Sequence, residues 1–299
     1  RFIGDEIQDM LVRGRFHFRE GGNTIRRLQS TLASKRGAGG ILAMGFMSFC
    51  PVVVLPSFNS GPQLARTLRA ARAECSEVWV VVDGSTDGSD REAEDLGLEG
   101  VRFMRLEKNS GKGGAVLEAL REASREGFTH LLAMDADGQH PAEKIRPFLE
   151  LGEKHPEAMV CGVPIFGVDA PPERVRGRLA GNSFAWLETL GLGAVDSLFG
   201  FRLYPVEASL RVMERTRWAR RFDFDTVLSV RLSWAGVPCI NVPVPVVYPP
   251  RQSGGVTHFR YLRDNLLLVA AHTRLLLEWP IHLPRLLARK VQAGLRISQ

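Results

Sequence analysis

Leu131-Leu132-Ala133-Met134-Asp135-Ala136-Asp137-Gly138-Gln139-His140-Pro141 is the stretch on which the fold turns. A short apolar run that ends abruptly in two carboxylates, one residue apart, reads as a buried strand carrying acidic side chains to the carboxyl edge of a sheet. That edge is where open α/β sheets bind ligands. Asp135, Asp137 and Gln139 offer oxygen acceptors at alternate positions. Such a set suits a hard divalent cation, Mg²⁺ or Mn²⁺, that already carries phosphate oxygens. Turn chemistry competes with that reading, because Asp bonds nearby backbone amides and Gly accepts positive φ. A calcium loop of EF-hand type does not compete: counted from Asp135, its Gly and Glu positions hold His140 and Arg146.

Outward from this stretch, short apolar runs alternate with helical patterns. Strands are expected at Val52–Leu55, Val78–Val82, Val101–Arg105 and His130–Met134, with helices near Leu64–Ala73, Asp90–Asp95, Gly114–Arg125 and Glu143–His155. Alternation at this spacing implies an α/β fold, a doubly wound and largely parallel sheet with right-handed crossovers. Each expected strand runs into a loop suited to a ligand. Pro56-Ser57-Phe58-Asn59-Ser60-Gly61 follows the first, and Asp83-Gly84-Ser85-Thr86-Asp87-Gly88-Ser89 follows the second with groups for a ribose and a base edge. Lys108-Asn109-Ser110-Gly111-Lys112-Gly113-Gly114 follows the third and sets a cation beside a helix N-terminus, where amides and the dipole favour anions. One such loop is ordinary turn chemistry, but four in succession on one sheet edge favour a nucleotide site. A P-loop fails on spelling, since Gly113 follows Lys112 where Ser or Thr is needed and Leu106 stands at the first Gly. The Rossmann fingerprint is also absent.

With 299 residues, 44% of them hydrophobic, the chain can bury a sizeable core. Cys50, Cys75, Cys161 and Cys239 are far apart with no CxxC pair, which suggests neither a zinc site nor a disulfide framework and fits a reducing cytosol. The net charge of +6 is concentrated at the ends: residues 1–46 carry +4 and residues 257–299 carry +5, leaving −3 between them. Such basic appendages around an acidic middle argue against a nucleic-acid groove and for contact with an anionic surface. Nothing approaches the ~18 uninterrupted apolar residues of a membrane span. Residues 1–46 read as a basic extension and a candidate non-native segment, with Met44 or Met47 as a candidate start. Residues 47–260 read as the α/β core domain and 261–299 as basic amphipathic helices.

Taken together, these loops resemble the family-two inverting glycosyltransferases of GT-A fold, over Pro51 to about Asn265. The resemblance implies a metal-dependent transfer of a sugar from a nucleotide-sugar donor, with a UDP-sugar preferred and a GDP-sugar the alternative. It implies that Pro56–Asn59 and Asp83 hold the nucleoside, that Lys112 lies near the nucleotide end, and that Asp135-Ala136-Asp137 is the DxD signature binding Mg²⁺ or Mn²⁺. The version here, Asp135 to Pro141, is similar to that of polyprenyl-phosphate sugar synthases, which makes Gln139 a third metal ligand. Asp196-Ser197-Leu198-Phe199-Gly200-Phe201-Arg202-Leu203-Tyr204 resembles their Asp-x-Thr-Ser-Gly-Phe-Arg-x-Tyr segment, with Leu198-Phe199 as a departure. Another departure is Val82, where relatives commonly carry a first Asp, so Asp83 is left to serve the nucleoside alone. By the same resemblance Arg251, His258 and Arg260 form a basic loop over the phosphates, and Asp196 and Arg202 belong to the acceptor or phosphate loop.

For the chemistry, an acceptor hydroxyl needs a carboxylate to take its proton, and Asp225 is the first choice with Asp223 the second. Helix capping competes for Asp223. A lipid-phosphate acceptor is already ionised and needs no base. Arg251 would join the metal in neutralising the leaving phosphate. The acceptor is expected to be lipid-linked, with the enzyme cytoplasmic and peripheral on the inner face of the cell membrane. In the segment Tyr261–Ser298, apolar residues at helical spacing alternate with Arg263, Arg274, Arg285, Arg289 and Lys290, which suits an anionic membrane surface but also a core-capping helix. Two other functions compete: a nucleotidyltransferase, which would want a cation in Pro56–Gly61, and a non-catalytic nucleotide-sugar-binding protein. A glycoside hydrolase is a poor reading, because Asp135 and Asp137 are too close in sequence to flank a scissile bond.

Overall fold

The computed structural model describes residues 48–167, 172–246 and 260–297. Expectations for residues 1–46, and for Arg251 and His258, therefore lie outside the described residues. Within them, β1 (Pro51–Ser57), β2 (Val78–Asp83), β3 (Val101–Leu106) and β4 (His130–Ala133) form where the apolar runs place them. Helices α1 (Pro62–Glu74), α2 (Ser89–Glu94), α3 (Lys112–Glu126) and α4 (Ile145–Lys154) connect and follow them. β1 pairs in parallel with β2 and β4, and β2 with β3.

The central strands are apolar throughout because both faces are covered. Along β1, Val52 and Val54 pack with Val116 and Leu120 of α3, whereas Val53 and Leu55 pack with Leu64 and Leu68 of α1 on the other face. Successive side chains of a strand point to opposite faces, so one run feeds two cores.

Three further strands complete the sheet: β5 (Met159–Ile165), β6 (Arg202–Pro205) and β7 (Cys239–Pro245). The order is β3-β2-β1-β4-β6-β5-β7. β5 and β7 are parallel to each other, and β6 runs antiparallel to both neighbours, β4 and β5. The sheet is thus mostly parallel, as expected, with one reversed strand in its middle. That reversal matters for the site. Arg202 at the start of β6 pairs with Ala133 at the end of β4, so the loop entering β6 lies at the same edge as the loop leaving β4.

Between these strands run α5 (Pro172–Thr189), α6 (Val206–Arg215) and α7 (Phe224–Ala235). The C-terminal segment forms one helix, α8 (Tyr261–Ile297), of 37 residues, where a pair of helices was expected. Its inner face, including Ala271, Leu275 and Leu286, packs in a third apolar cluster with Ala185 of α5 and Val227, Val230 and Trp234 of α7. Among the described residues no helix is long and apolar enough to cross a membrane.

Candidate active site

Three elements converge at the end of β4. Lys112, the first residue of α3, places its ammonium 2.7 Å from Asp135 Oδ1 and 2.8 Å from Asp225 Oδ2. Asp225 lies in the first turn of α7. Its other oxygen, Oδ1, is buried and has no hydrogen-bond partner among the described residues. Burial opposes charge on Lys112, but the two carboxylates outweigh it and raise the ammonium pKa, so this residue stays cationic. The same contact works on Asp135: burial pushes its carboxyl up, yet Lys112 beside it holds the pKa below the usual range.

Asp137 behaves differently. Burial first, and then the charge of Asp135, push its carboxyl up to about 6. Its Oδ1 accepts the Gln139 amide at 3.0 Å and Gly138 takes a φ of 77°. Turn chemistry and ligand chemistry therefore coexist in this loop: the turn uses one oxygen of Asp137, and among the described residues no hydrogen bond takes the other. Among the described residues, the nearest cationic or imidazole partner of Asp135 Oδ2 is His140 Nε2 at 3.9 Å. His140 accepts the Asp135 amide on Nδ1 at 3.1 Å, and burial lowers its pKa to about 4, so it is a neutral strut.

The loop before β6 closes over this group. A Cβ on Gly200 would land on the Lys112 ammonium and 2.8 Å from Asp135 Oδ2. Gly200→Ala is expected to push Lys112 off its carboxylates; displacements near 1 Å at a reacting centre cost about a hundredfold, and steady-state kcat/KM reads the loss. Asp196 anchors the loop, accepting Arg178 Nη1 and the Leu198 amide on Oδ1 at 2.7 and 3.0 Å, and Asn182 Nδ2 on Oδ2 at 3.1 Å. Phe199 is 3% exposed and sits edge-on to His140 with ring centroids 4.7 Å apart. At this departure from the resembling segment, packing holds the loop where hydroxyls would otherwise stand.

Arg202 corrects an expectation. It is fully buried and donates to the carbonyls of Phe199, Asp196 and Asp225 at 2.9, 2.8 and 2.5 Å, with Tyr204 Oη at 3.4 Å. A side chain spent on backbone carbonyls inside the core is a clamp on the site loops and not an acceptor or phosphate ligand. Asp83 is likewise engaged. Its carboxylate accepts the Ser110 amide and hydroxyl at 2.7 and 2.8 Å and the Gly111 amide at 2.8 Å, so it orders the loop that delivers Lys112. It is 3% exposed.

Pro56, Asn59 and Ser85 lie along the same edge. Pro56 pairs within β1 against Val81. Asn59 and Ser85 tie the first two loops together: the Asn59 amide donates to Ser85 Oγ at 3.0 Å and the Thr86 amide to Asn59 Oδ1 at 2.8 Å. Asp223 holds the N-cap position of α7 without a side-chain capping bond, which disposes of capping as its role; Oδ1 accepts the Arg221 amide at 3.0 Å. Burial first, with Asp264 of α8 adding like charge, raises its pKa. Arg260 is exposed just before α8. Sequence reasoning missed His140, Gly200, Arg178 and Asn182. His140 and Gly200 stood inside stretches already quoted, but nothing in the chain order signals that α5 supports the loop before β6.

The sequence model of the family described as Glycosyl transferase family 2 matches residues 52–211, more than half of the chain. The chain belongs to that family. It is a glycosyltransferase, and its α/β sheet is of the GT-A type. Similar curated proteins include glycosyltransferase AglJ of Haloferax volcanii, 27% identical over 71% of this chain and 67% of the relative. The polyprenol monophosphomannose synthase of Mycolicibacterium smegmatis is 27% identical over 64% of this chain and 76% of its own. The undecaprenyl-phosphate mannosyltransferase of Micrococcus luteus is 26% identical over 69% and 88%. The transferase matched here therefore spans β1 to α6, which contains Lys112, Asp135 and Asp137, while Asp225 and α8 lie beyond the family match.

Proposed function

We propose that this glycosyltransferase moves a sugar, with inversion, from a nucleoside diphosphate sugar to a polyprenyl-phosphate or similar lipid-linked acceptor at a membrane surface. The observation that carries the reading is the pair Asp135 and Asp137 at the end of β4, each with an oxygen that makes no hydrogen bond among the described residues, beside the cation Lys112. The names of the two mannosyl-transferring relatives support a lipid-phosphate acceptor.

Among the described residues no group of three His, Cys, Asp or Glu side chains could hold a metal alone. Two carboxylates are nevertheless the complement that Mg²⁺ takes when substrate phosphates and water supply the rest. The donor set thus fits a metal that arrives with the diphosphate, held by Asp135 and Asp137 with Gln139 as third ligand. Bound there, it would supply Lewis-acid stabilisation of the leaving diphosphate. Lys112 ties Asp135 to Asp225 and adds positive charge beside the leaving phosphate. His140 and Phe199 seal the inner wall of the site against water.

Thermal shift with UDP, GDP and their sugars, with and without Mn²⁺, tests the donor and the metal; a nucleotide response equal without metal and unchanged in Asp137→Ala would refute the metal reading. The pH dependence has a defined sign. Because the folded protein holds the Asp137 proton up to about pH 6 and the unfolded chain releases it lower, metal-free stability falls as pH rises through that window. Metal needs the ionised form, so the Mn²⁺-induced rise in melting temperature should be small at pH 5 and grow to pH 7, and Asp137→Asn should flatten the trend.

A second reading takes a hydroxyl acceptor, favoured by the orphaned Asp225 Oδ1, which could accept the hydroxyl proton as the new bond forms. Asp225→Asn separates the two. A base-dependent transfer loses about a hundred- to ten-thousandfold in kcat, whereas transfer to an ionised lipid phosphate persists.

A further inference from the structure

Among the described residues, the outward face of α8 has no partner. Leu262, Leu266, Val269, Leu277, Ile281 and Val291 recur at helical spacing on the side opposite the packed face, and they are 77, 68, 64, 75, 78 and 62% exposed. At 1.5 Å per residue this stripe is about 44 Å long. Exposed Pro280 and Pro284 continue it and no acidic side chain interrupts it, since Asp264 is fully buried and Glu278 is paired with Arg231. Beside it, α5 exposes Leu179, Phe184, Trp186 and Leu187 at 41, 43, 51 and 39%. Monomeric proteins rarely leave so large a contiguous apolar surface bare.

The flanks of the stripe are cationic. Arg274 is exposed and lies over the Trp218 ring, and Lys290 lies over Trp186. Next to α8 a cleft of about 460 Å³ is lined by Arg211, Arg215, Arg231, Arg285 and His282, together with Trp234. Arg211 and Arg215 of α6 are exposed, and the nearby carboxylate, Glu278, is taken by Arg231. An apolar ridge edged by arginine matches a lipid surface, whose acyl chains take the ridge and whose anionic headgroups take the cations.

From this geometry we infer that the outward face of α8, extended by α5, docks the enzyme on an anionic bilayer, and that the Arg211–Arg215–Arg285 cleft receives lipid phosphate headgroups. α8 packs against α7, the helix whose first turn carries Asp225. Docking along α8 would therefore hold the site's mouth at the headgroup layer, where a lipid-linked acceptor presents its phosphate. The inference rests on the lipid-acceptor reading above and adds the surface that makes it work.

Flotation of the full chain with phosphatidylcholine vesicles, alone or with phosphatidylglycerol, tests it without any polyprenyl phosphate or nucleotide sugar present. The wild-type protein is expected to float with the anionic vesicles and to be released by salt. Leu266→Glu/Leu277→Glu/Ile281→Glu should lower vesicle partitioning at least tenfold, and Arg211→Gln/Arg215→Gln should remove the preference for anionic lipid. A milder set, Leu266→Gln/Leu277→Gln/Ile281→Gln, with an unchanged melting curve, guards against a folding defect. Equal flotation of wild type and both triple variants would overturn the inference. So would failure of the wild type to float while it sediments as a dimer that the Glu variants dissociate, because a second copy would then cover the ridge. Flotation that behaves as expected, without sugar transfer to a polyprenyl phosphate, would sink only the acceptor reading.

Discussion

Lys112→Met should leave a folded but nearly inactive enzyme, with kcat/KM lower by about a hundred- to a thousandfold, the cost of losing one preorganised charge at a reacting centre. The physical cause is the pair of contacts at 2.7 and 2.8 Å that the ammonium makes with Asp135 and Asp225. Without it two carboxylates face each other at a site where Asp225 is 2% exposed. Removing one partner of such a buried arrangement costs about 3–5 kcal/mol; Asp135, with its side chain 32% exposed, argues for the lower end. A double-mutant cycle separates charge from shape. Lys112→Met/Asp225→Asn removes both members of one pair, so its stability in urea should recover most of the loss while activity stays low. If the single variant melts like wild type and turns over within fivefold of it, the bridge has no role.

The second large effect falls on stability. Arg202→Met is expected to cost about 4 kcal/mol or more, because each buried carbonyl left unpaired loses about 1–3 kcal/mol and Arg202 serves three of them. Arg202→Lys should recover only part of this, since an ammonium cannot reproduce the planar fork that reaches three directions at once. Urea unfolding reads both values. Activity should fall with stability, because the clamped carbonyls belong to Phe199 and Asp196, in the loop that carries Gly200, and to Asp225. A loss of activity in Arg202→Lys with unchanged stability would instead return the guanidinium to a direct role with substrate.

What the sequence made legible was set by how local the signal is. β1, β2 and β4 are continuous apolar runs between turn residues, and they form where those runs end. Asp135 and Asp137 were visible because a strand end and a turn are adjacent in the chain. β5 and β6 were not anticipated as strands, and for different reasons. β5 contains Gly162 and Pro164, which read as breakers, and β6 is four residues long with an arginine at its start. The arginine is tolerated there only because three carbonyls from two segments converge on it, a tertiary fact with no local trace. The same applies to Lys112: its place beside a helix N-terminus suggested an anion, and the anions it meets are two carboxylates from elsewhere in the chain.

The insertion of β6 between β4 and β5 has a consequence for how the chain reaches its folded state. The sheet cannot close until residues 202–205 return to pair with residues 130–133, and the Lys112–Asp225 contact spans 113 positions. Until that return, β4 is an open edge of unpaired amides and carbonyls next to an apolar face, the kind of edge that recruits other strands. Long-range closure of this sort slows folding. During synthesis the nascent first half would therefore expose its most adhesive strand for as long as it takes to make the next seventy or so residues. Chaperone dependence in expression should accordingly concentrate on that interval.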